Sequence, residues 1–274
     1  EVYTDTDGTE FVYVKSPANN MGNYFKIEPI TWRVLSVNGD EALLLSDKNL
    51  DGGIKYNETY KDVTWESSTI RCWLNGYGSD QNQDRVDYNS DNFLDMAFTA
   101  DEQKGIVEKT IKNEDNPSYK TIGGEETKDK VFFPSIEEML NADYGFNVDI
   151  DEDTESRKAE NTAYSASKNS YMSKEREPEW YWLRSPGETS SNASTINYNG
   201  RLYPNGGNVN VLSSACRFAL SLDLTSDSWS YTGILASNGA LFDENGIPKP
   251  VDSSAEALSY GSHLYKIFDL GNNS

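Results

Sequence analysis

Apolar side chains alternate with polar ones, or gather in short β-rich blocks, at both ends of the chain; helical spacing is confined to the middle. Residues 10–15 (Glu-Phe-Val-Tyr-Val-Lys) read as a strand, followed by a polar link with Pro17 and Gly22. A hairpin comes next over 24–37 and 41–46. Its arms are Tyr24-Phe25-Lys26-Ile27 with Trp32-Arg33-Val34-Leu35, and Ala42-Leu43-Leu44-Leu45, joined by a turn at Asn38-Gly39-Asp40. An Asn-Gly pair suits such a turn because both residues tolerate positive φ.

Start signals mark the helices. One is expected from about Glu66 to Asn75, with Ile70, Trp73 and Leu74 on one face and Gly76 as its stop. The capping box Thr99-Ala100-Asp101-Glu102 opens a second, expected to bury Ile106, Val107 and Ile111. A third follows the strand Val131-Phe132-Phe133, opened by Pro134-Ser135-Ile136-Glu137-Glu138. A fourth is expected between about Glu155 and Ala166. From there the chain reads as strand and loop. Trp180-Tyr181-Trp182-Leu183-Arg184 is a strand ended by Ser185-Pro186-Gly187, residues 188–214 are rich in Asn, Gly, Ser and Tyr, and residues 217–222 are another strand. The tail from Asp243 is polar apart from residues 264–268.

Helices in the middle with strands at both ends predict an α+β fold, short helices with twisted antiparallel sheet. Residues 1–240 are expected to form one domain. Residues 241–274 read as a C-terminal extension that returns as an edge strand, 264–268 pairing with 10–15 to bring the ends together. There is no internal repeat.

Composition narrows the function. Only 36% of the 274 residues are apolar, yet 12% are aromatic, which a disordered chain would lack. The net charge of -21 repels phosphate backbones and anionic membrane surfaces, so nucleic-acid binding is excluded and membrane association disfavoured. No apolar run approaches the roughly 20 residues of a spanning helix, so no direct membrane insertion is expected. The chain opens at Glu1-Val2-Tyr3 and reads as a mature or truncated form whose signal segment lies elsewhere.

Seven segments in order carry a resemblance. They are residues 24–35, residues 42–47, Thr64-Trp65-Glu66-Ser67-Ser68-Thr69-Ile70-Arg71-Cys72-Trp73-Leu74-Asn75, residues 92–98, residues 129–135, Trp182-Leu183-Arg184-Ser185-Pro186-Gly187, and Cys216-Arg217-Phe218-Ala219-Leu220. Together, over roughly residues 10–240, they resemble an uncharacterised family of bacterial extracellular domains, domain of unknown function family 6273. The family is marked by a W-L-R-S-P-G strand and a V-R-P-A-L strand. This chain departs from it in carrying Cys216-Arg217-Phe218-Ala219-Leu220 for the second motif and in lacking an upstream Tyr-Phe-Gly-Ser-Tyr-Pro type segment. The resemblance implies a secreted or cell-surface protein of an anaerobic gut bacterium, beside cell-wall-attachment or immunoglobulin-like modules, with no established activity. The motif order is also similar to the C-type-lectin-like fold, in the branch of formylglycine-generating enzymes and variable receptor-binding domains.

Candidate chemistry is sparse. The single histidine, His263, has no nucleophile motif beside it, and one His cannot make a zinc site without the two cysteines. Cys72 and Cys216 each neighbour an arginine and are read as free thiols, one disulfide, or a redox pair of the formylglycine type. A glycoside hydrolase needs two facing carboxylates; Glu179 before Trp180 has the most apolar context, with Glu28 and Glu66 as rivals. Asp149, Asp151 and Asp153 alternate and Glu160 follows at the twelfth position, mimicking a calcium loop. Thr154 stands where that loop wants Gly, and Ser156 where it wants an apolar residue, so a solvated acidic loop is the preferred reading and no cofactor is expected.

Binding surfaces remain. Trp180, Trp182 and Arg184 share one face of their strand, Tyr181 and Leu183 the other, and one face must be core. The loops after it hold Asn192, Tyr198, Asn199, Tyr203 and Asn208. Tyr, Asn, Ser and Gly together are the chemistry of adaptable recognition surfaces. These residues read as the binding site of a non-catalytic adhesion module, a monomer whose partner is a glycan or protein outside the cell. The alternatives are an enzyme (a formylglycine-type oxidase or a glycoside hydrolase) and a structural spacer of a cell-wall protein.

Overall fold

The computed structural model describes residues 2–4, 6, 10–15, 22–168, 177–227, 229–236 and 254–267, largely as backbone before residue 29 and after residue 230. The first elements are strands β1 (Val2–Thr4), β2 (Glu10–Lys15), β3 (Gly22–Asn38), β4 (Glu41–Ser46) and β5 (Asp51–Gly52), then helices α1 (Thr69–Asn75), α2 (Phe93–Ala97) and α3 (Glu102–Gly105). Strands β6 (Ile106–Val107), β7 (Lys109–Ile111), β8 (Thr127–Asp129) and β9 (Val131–Phe132) precede helices α4 (Ile136–Met139) and α5 (Ala163–Lys168). The rest is strand: β10 (Tyr181–Pro186), β11 (Asn192–Ile196), β12 (Leu202–Asn208), β13 (Ala215–Cys216), β14 (Ala219–Asp223), β15 (Ser230–Ala236) and β16 (Ser254–Ile267). The fold is α+β, with few short helices and mainly antiparallel sheets. No helix among the described residues is long and apolar enough to cross a membrane.

The β3–β4 hairpin closes with Asn38 opposite Glu41, so Gly39-Asp40 is the two-residue loop and Gly39 takes φ 63°. From β4 the first sheet runs through β14 to β6, and β9 also pairs with β14. At its other end β3 is flanked twice. β2 lies along one side, with Phe11 opposite Lys26 and Val12 opposite Phe25. β16 lies along the other, with Lys266 opposite Lys26 and Ile267 opposite Phe25. The expected pairing of 10–15 with 264–268 therefore gives way to both strands flanking β3. β16 also pairs with β15 and is not an edge strand. The link at Pro17, Phe268 and the 240/241 boundary lie outside the described residues.

The second sheet has the order β12-β11-β10-β13-β5. β10 pairs antiparallel with β11 and parallel with β13, Tyr181 opposite Ala215. Residues 188–214 thus fold as consecutive strands of a meander. They supply more core than their composition suggests, with Ala193, Ile196, Leu202 and Val209 all buried.

The Thr99 and Ser135 capping boxes and the Gly76 stop form as expected, but the helices are shorter, and the first starts at Ser68 rather than near Glu66. Ser68 accepts from Arg71 N to start α1, and Gly76 ends it at φ 68°. The Thr99–Glu102 capping box forms, yet α3 stops at Gly105 because Ile106-Val107 enter the first sheet opposite Leu222 and Ser221. For β-branched residues a buried ladder position outweighs continuation of a helix. The expected helix over 155–166 is two pieces, a 3-10 turn at Glu155–Arg157 and α5. Asn161, between them, instead bridges to Asn49.

Aromatic rings make much of the core. Phe133 and Phe218 stack with centroids 5.9 Å apart, Phe93 lies 4.2 Å from Phe218, and Trp65 lies 5.5 Å from Phe133. Tyr56 continues the chain to Trp182 at 5.9 Å. Phe218 is fully buried. It contributes on the order of 2–3 kcal/mol by burial alone.

Candidate functional site: an aromatic groove beside strand β10

β10 is buried on both faces. Tyr181, Trp182 and Leu183 have no exposure and Arg184 has 4%. The expectation that one face of this strand meets solvent is corrected. The strand lies between β11 and β13, and its polar atoms are committed to the fold. Tyr181 Oη donates to Arg157 O at 2.5 Å, and Trp182 Nε1 to Ile54 O at 3.1 Å. Arg184 clamps β10 to α4: Nη1 reaches Phe133 O at 2.9 Å, and Nη1 and Nη2 meet the Glu138 carboxylate at 2.5 and 3.2 Å.

The surface begins one residue earlier. Trp180 is half-buried, its ring centroid 4.8 Å from that of Tyr203 and 6.4 Å from that of Tyr198. Tyr198 is 52% exposed at the turn between β11 and β12. An open groove of about 690 Å³ runs past Trp180 and Tyr198, lined also by Glu179, Trp182, Thr195, Val211, Ser213 and Ser214, with Gly206 and Gly207 on it; Tyr203 packs against the Trp180 ring without lining the groove. The glycines keep that part of the groove low. Gly206 has φ 68°, and a Cβ there would stand 2.0 Å from Ala193 O, so no other residue fits. Above Gly207 the next layer is Trp182, 3.5 Å from where a Cβ would be. Tandem glycines inside a strand often mark close approach of a ligand, and that signal was available in the sequence but not used.

Glu179 is the one acidic side chain lining the groove among the described residues. Burial holds its carboxyl above the usual range and Glu177 adds to this, against a hydrogen bond from Trp180 N. Of its rivals, Glu66 is exposed and lines a separate shallow pocket with Arg71, while the Glu28 side chain lies outside the described residues.

The asparagines divide. Asn192 and Asn208 face each other across β11 and β12, Asn192 Nδ2 donating to Asn208 Oδ1 at 3.1 Å, and neither lines the groove. Asn199 Nδ2 donates to Asp153 Oδ2 at 3.1 Å, and Arg201 reaches Asp151 at 2.8 Å. The acidic loop thus braces the turn that carries Tyr198.

That loop has an internal cation. Arg157, fully buried, points Nη1 at Asn147 O (2.5 Å), Nη2 at Asp149 O (2.9 Å) and Glu152 O (2.8 Å), and Nε at Gly200 O (2.7 Å). The guanidinium thus fills the inside of the loop and fixes its backbone from within. Asp149 accepts Asp151 N at 2.9 Å, and Glu160 pairs with Lys48 at 3.5 Å. Among the described residues no group of three or more His, Cys, Asp or Glu is placed to hold a metal. Millimolar calcium is therefore expected to leave the melting temperature unchanged; a rise of several degrees in a thermal-shift titration would show that the ion displaces the guanidinium.

Cys72 and Cys216 are both buried free thiols. Burial raises both thiol pKa values, that of Cys216 well above its ordinary value, which disfavours a reactive thiolate. The His263 side chain lies outside the described residues.

No curated protein and no solved structure matches the chain. Residues 40–224, more than half of the chain and a narrower span than the motif order suggested, match the family described as Domain of unknown function (DUF6273). That span contains the whole second sheet, Trp180 and the groove, and the chain belongs to that family.

Proposed function

We propose that this domain is a non-catalytic, extracellular binding and adhesion module that holds a neutral polar ligand, a glycan or a peptide, in the groove beside β10. The observation that carries this is the meeting of Trp180 and Tyr198 at a groove with glycines in its wall, with Tyr203 packed against the Trp180 ring. Aromatic faces stack on sugar rings or peptide planes, and the hydroxyls of Thr195 and Ser213 supply hydrogen bonds without charge. An anionic ligand would meet Glu179 and a net charge of -21. We further read the fold as C-type-lectin-like, with a Trp-rich strand and the Arg-Phe-Ala-Leu strand framing the ligand loops, on a secreted or cell-surface protein.

Two observations favour binding over chemistry. A glycosidase of the usual kind needs two facing carboxylates, and among the described residues Glu179 is the one carboxylate lining this groove. A formylglycine-type oxidase needs reactive thiols, and Cys72 and Cys216 are buried. A glycan and peptide array tests the reading. The wild type is expected to bind, and Trp180→Ala or the Tyr198→Ala/Tyr203→Ala pair to weaken binding roughly 10-fold or more, at about 1–2 kcal/mol per anchor. Unchanged binding by both variants would move the site elsewhere, and a wild type that binds nothing would favour a spacer domain.

A further inference from the structure

A second cavity, of about 510 Å³, is lined by residues of β5, α1, α2 and α5 and of the segments between them. Asp51, the first residue of β5, lines it while being only 3% exposed. Its Oδ1 accepts Gly52 N at 2.8 Å, and among the described residues the carboxyl has no other hydrogen-bond donor. A buried carboxyl with a single donor, on a cavity wall, lacks the partners that buried charges ordinarily have.

The rest of the wall says what kind of partner fits. Trp73, Tyr88, Tyr164 and Ile70 give it an apolar, aromatic body. At its rim Lys55 pairs with Glu58 at 3.0 Å, and the Lys168 ammonium lies over the Tyr164 ring, 5.1 Å from its centroid. Asp91 adds a further negative charge, so Asp51 and Asp91 face Lys168 alone once the Lys55–Glu58 pair is set aside. An apolar ligand would bring Asp51 no donor, a neutral polar one a donor but no counter-charge, and an anion would meet two carboxylates. A bare divalent cation would find one buried carboxylate rather than a cage.

We propose that this cavity binds a ligand carrying a primary ammonium group on an apolar body, with the Asp51 carboxylate as counter-ion and Trp73, Tyr88 and Tyr164 around the apolar part. The ammonium supplies the donors that Asp51 lacks, and aromatic faces favour a cation beside them. Burial raises Asp51 to about 7, with Lys168 and the Gly52 N–H opposing it, so the empty site is half protonated near neutrality and a bound cation restores its charge. The other titratable groups on the cavity are Lys55, Glu58, Tyr88, Asp91, Tyr164 and Lys168, with Cys216 opposite Asp51 in the β5–β13 ladder. Burial holds Cys216 and Tyr88 above the neutral range.

Calorimetry with phenethylamine, and with the uncharged 2-phenylethanol as its counterpart, tests this. The amine is expected to bind at least about tenfold more tightly than the alcohol. Its affinity should rise up to about tenfold from about pH 6 to about pH 8, as a carboxyl near pKa 7 goes from mostly protonated to mostly ionised. Asp51→Asn, whose folding is checked by near-UV circular dichroism, should abolish both the preference and the pH dependence. Trp180→Ala should leave amine binding intact, which separates this site from the groove. Equal binding of amine and alcohol, or an Asp51→Asn protein that binds the amine as the wild type does, would overturn the proposal.

Discussion

Arg157→Leu is expected to lower the free energy of unfolding by about 3–5 kcal/mol, the range for removing one partner of a buried charged network. Leucine keeps the apolar stem but removes all donors of the guanidinium. The carbonyls of Asn147, Asp149, Glu152 and Gly200 then lose their partner together. An unsatisfied buried acceptor costs about 1–3 kcal/mol, and the exposed side of this loop lets water recover part of the loss. The consequence reaches the groove. The same loop holds the Tyr198 turn through Asp151–Arg201 and Asp153–Asn199, so ligand affinity should fall along with stability. Urea denaturation read by tryptophan fluorescence measures the first effect. A midpoint close to wild type would mean that the loop keeps its shape with hydrated carbonyls and that Arg157 is not what organises it.

Asp129→Ala is the second large effect, again about 3–5 kcal/mol. Asp129 is fully buried on β8 and gathers donors from α1 and the residues flanking it and from its own strand. Arg71 Nε reaches Oδ1 at 2.7 Å, while Trp65 Nε1 and Thr127 Oγ1 reach Oδ2 at 3.0 and 2.7 Å. Alanine leaves a buried guanidinium over the Tyr77 ring without its counter-charge and an indole N–H without an acceptor. The Arg71→Met/Asp129→Ala double variant should lose clearly less than the sum of the single losses, because removing both charges together avoids the unpaired ion. Additive losses in that cycle would show that the two residues act independently.

Local chemistry by itself determined a good deal of this protein. The Gly39-Asp40 hairpin, the Thr99 and Ser135 capping boxes and the Gly76 stop all depend on residues within four positions of each other, and all form, while the first helix starts at Ser68 rather than near Glu66. The seven motifs in order were enough for the family. Tyr198 was legible as surface because turn-rich polar sequence cannot be wholly buried, whereas Trp180 read as the first residue of the strand and not as its exposed neighbour.

Tertiary structure alone decided the rest, and in each case the reason is a partner far away in sequence. Alternation along Trp180–Arg184 indicates two faces, but only the layers on either side reveal that both are covered from Tyr181 onward, which turned Tyr181 and Arg184 from ligand contacts into core and left Trp182 in the floor of the groove. Ile106 and Val107 follow a sound capping box, yet strand β14, more than a hundred residues later, takes them out of the helix. The spacing of Asp149, Asp151 and Asp153 suits a calcium ion, but Arg157 organises the loop from inside, and the three carboxylates turn to Asp151 N, Arg201 and Asn199 instead. Asp51 gave no signal at all. Its carboxyl matters only because β13, α1 and α5 wall it off from water beside a cavity, and burial depends on all of those neighbours at once rather than on any property of the residue itself.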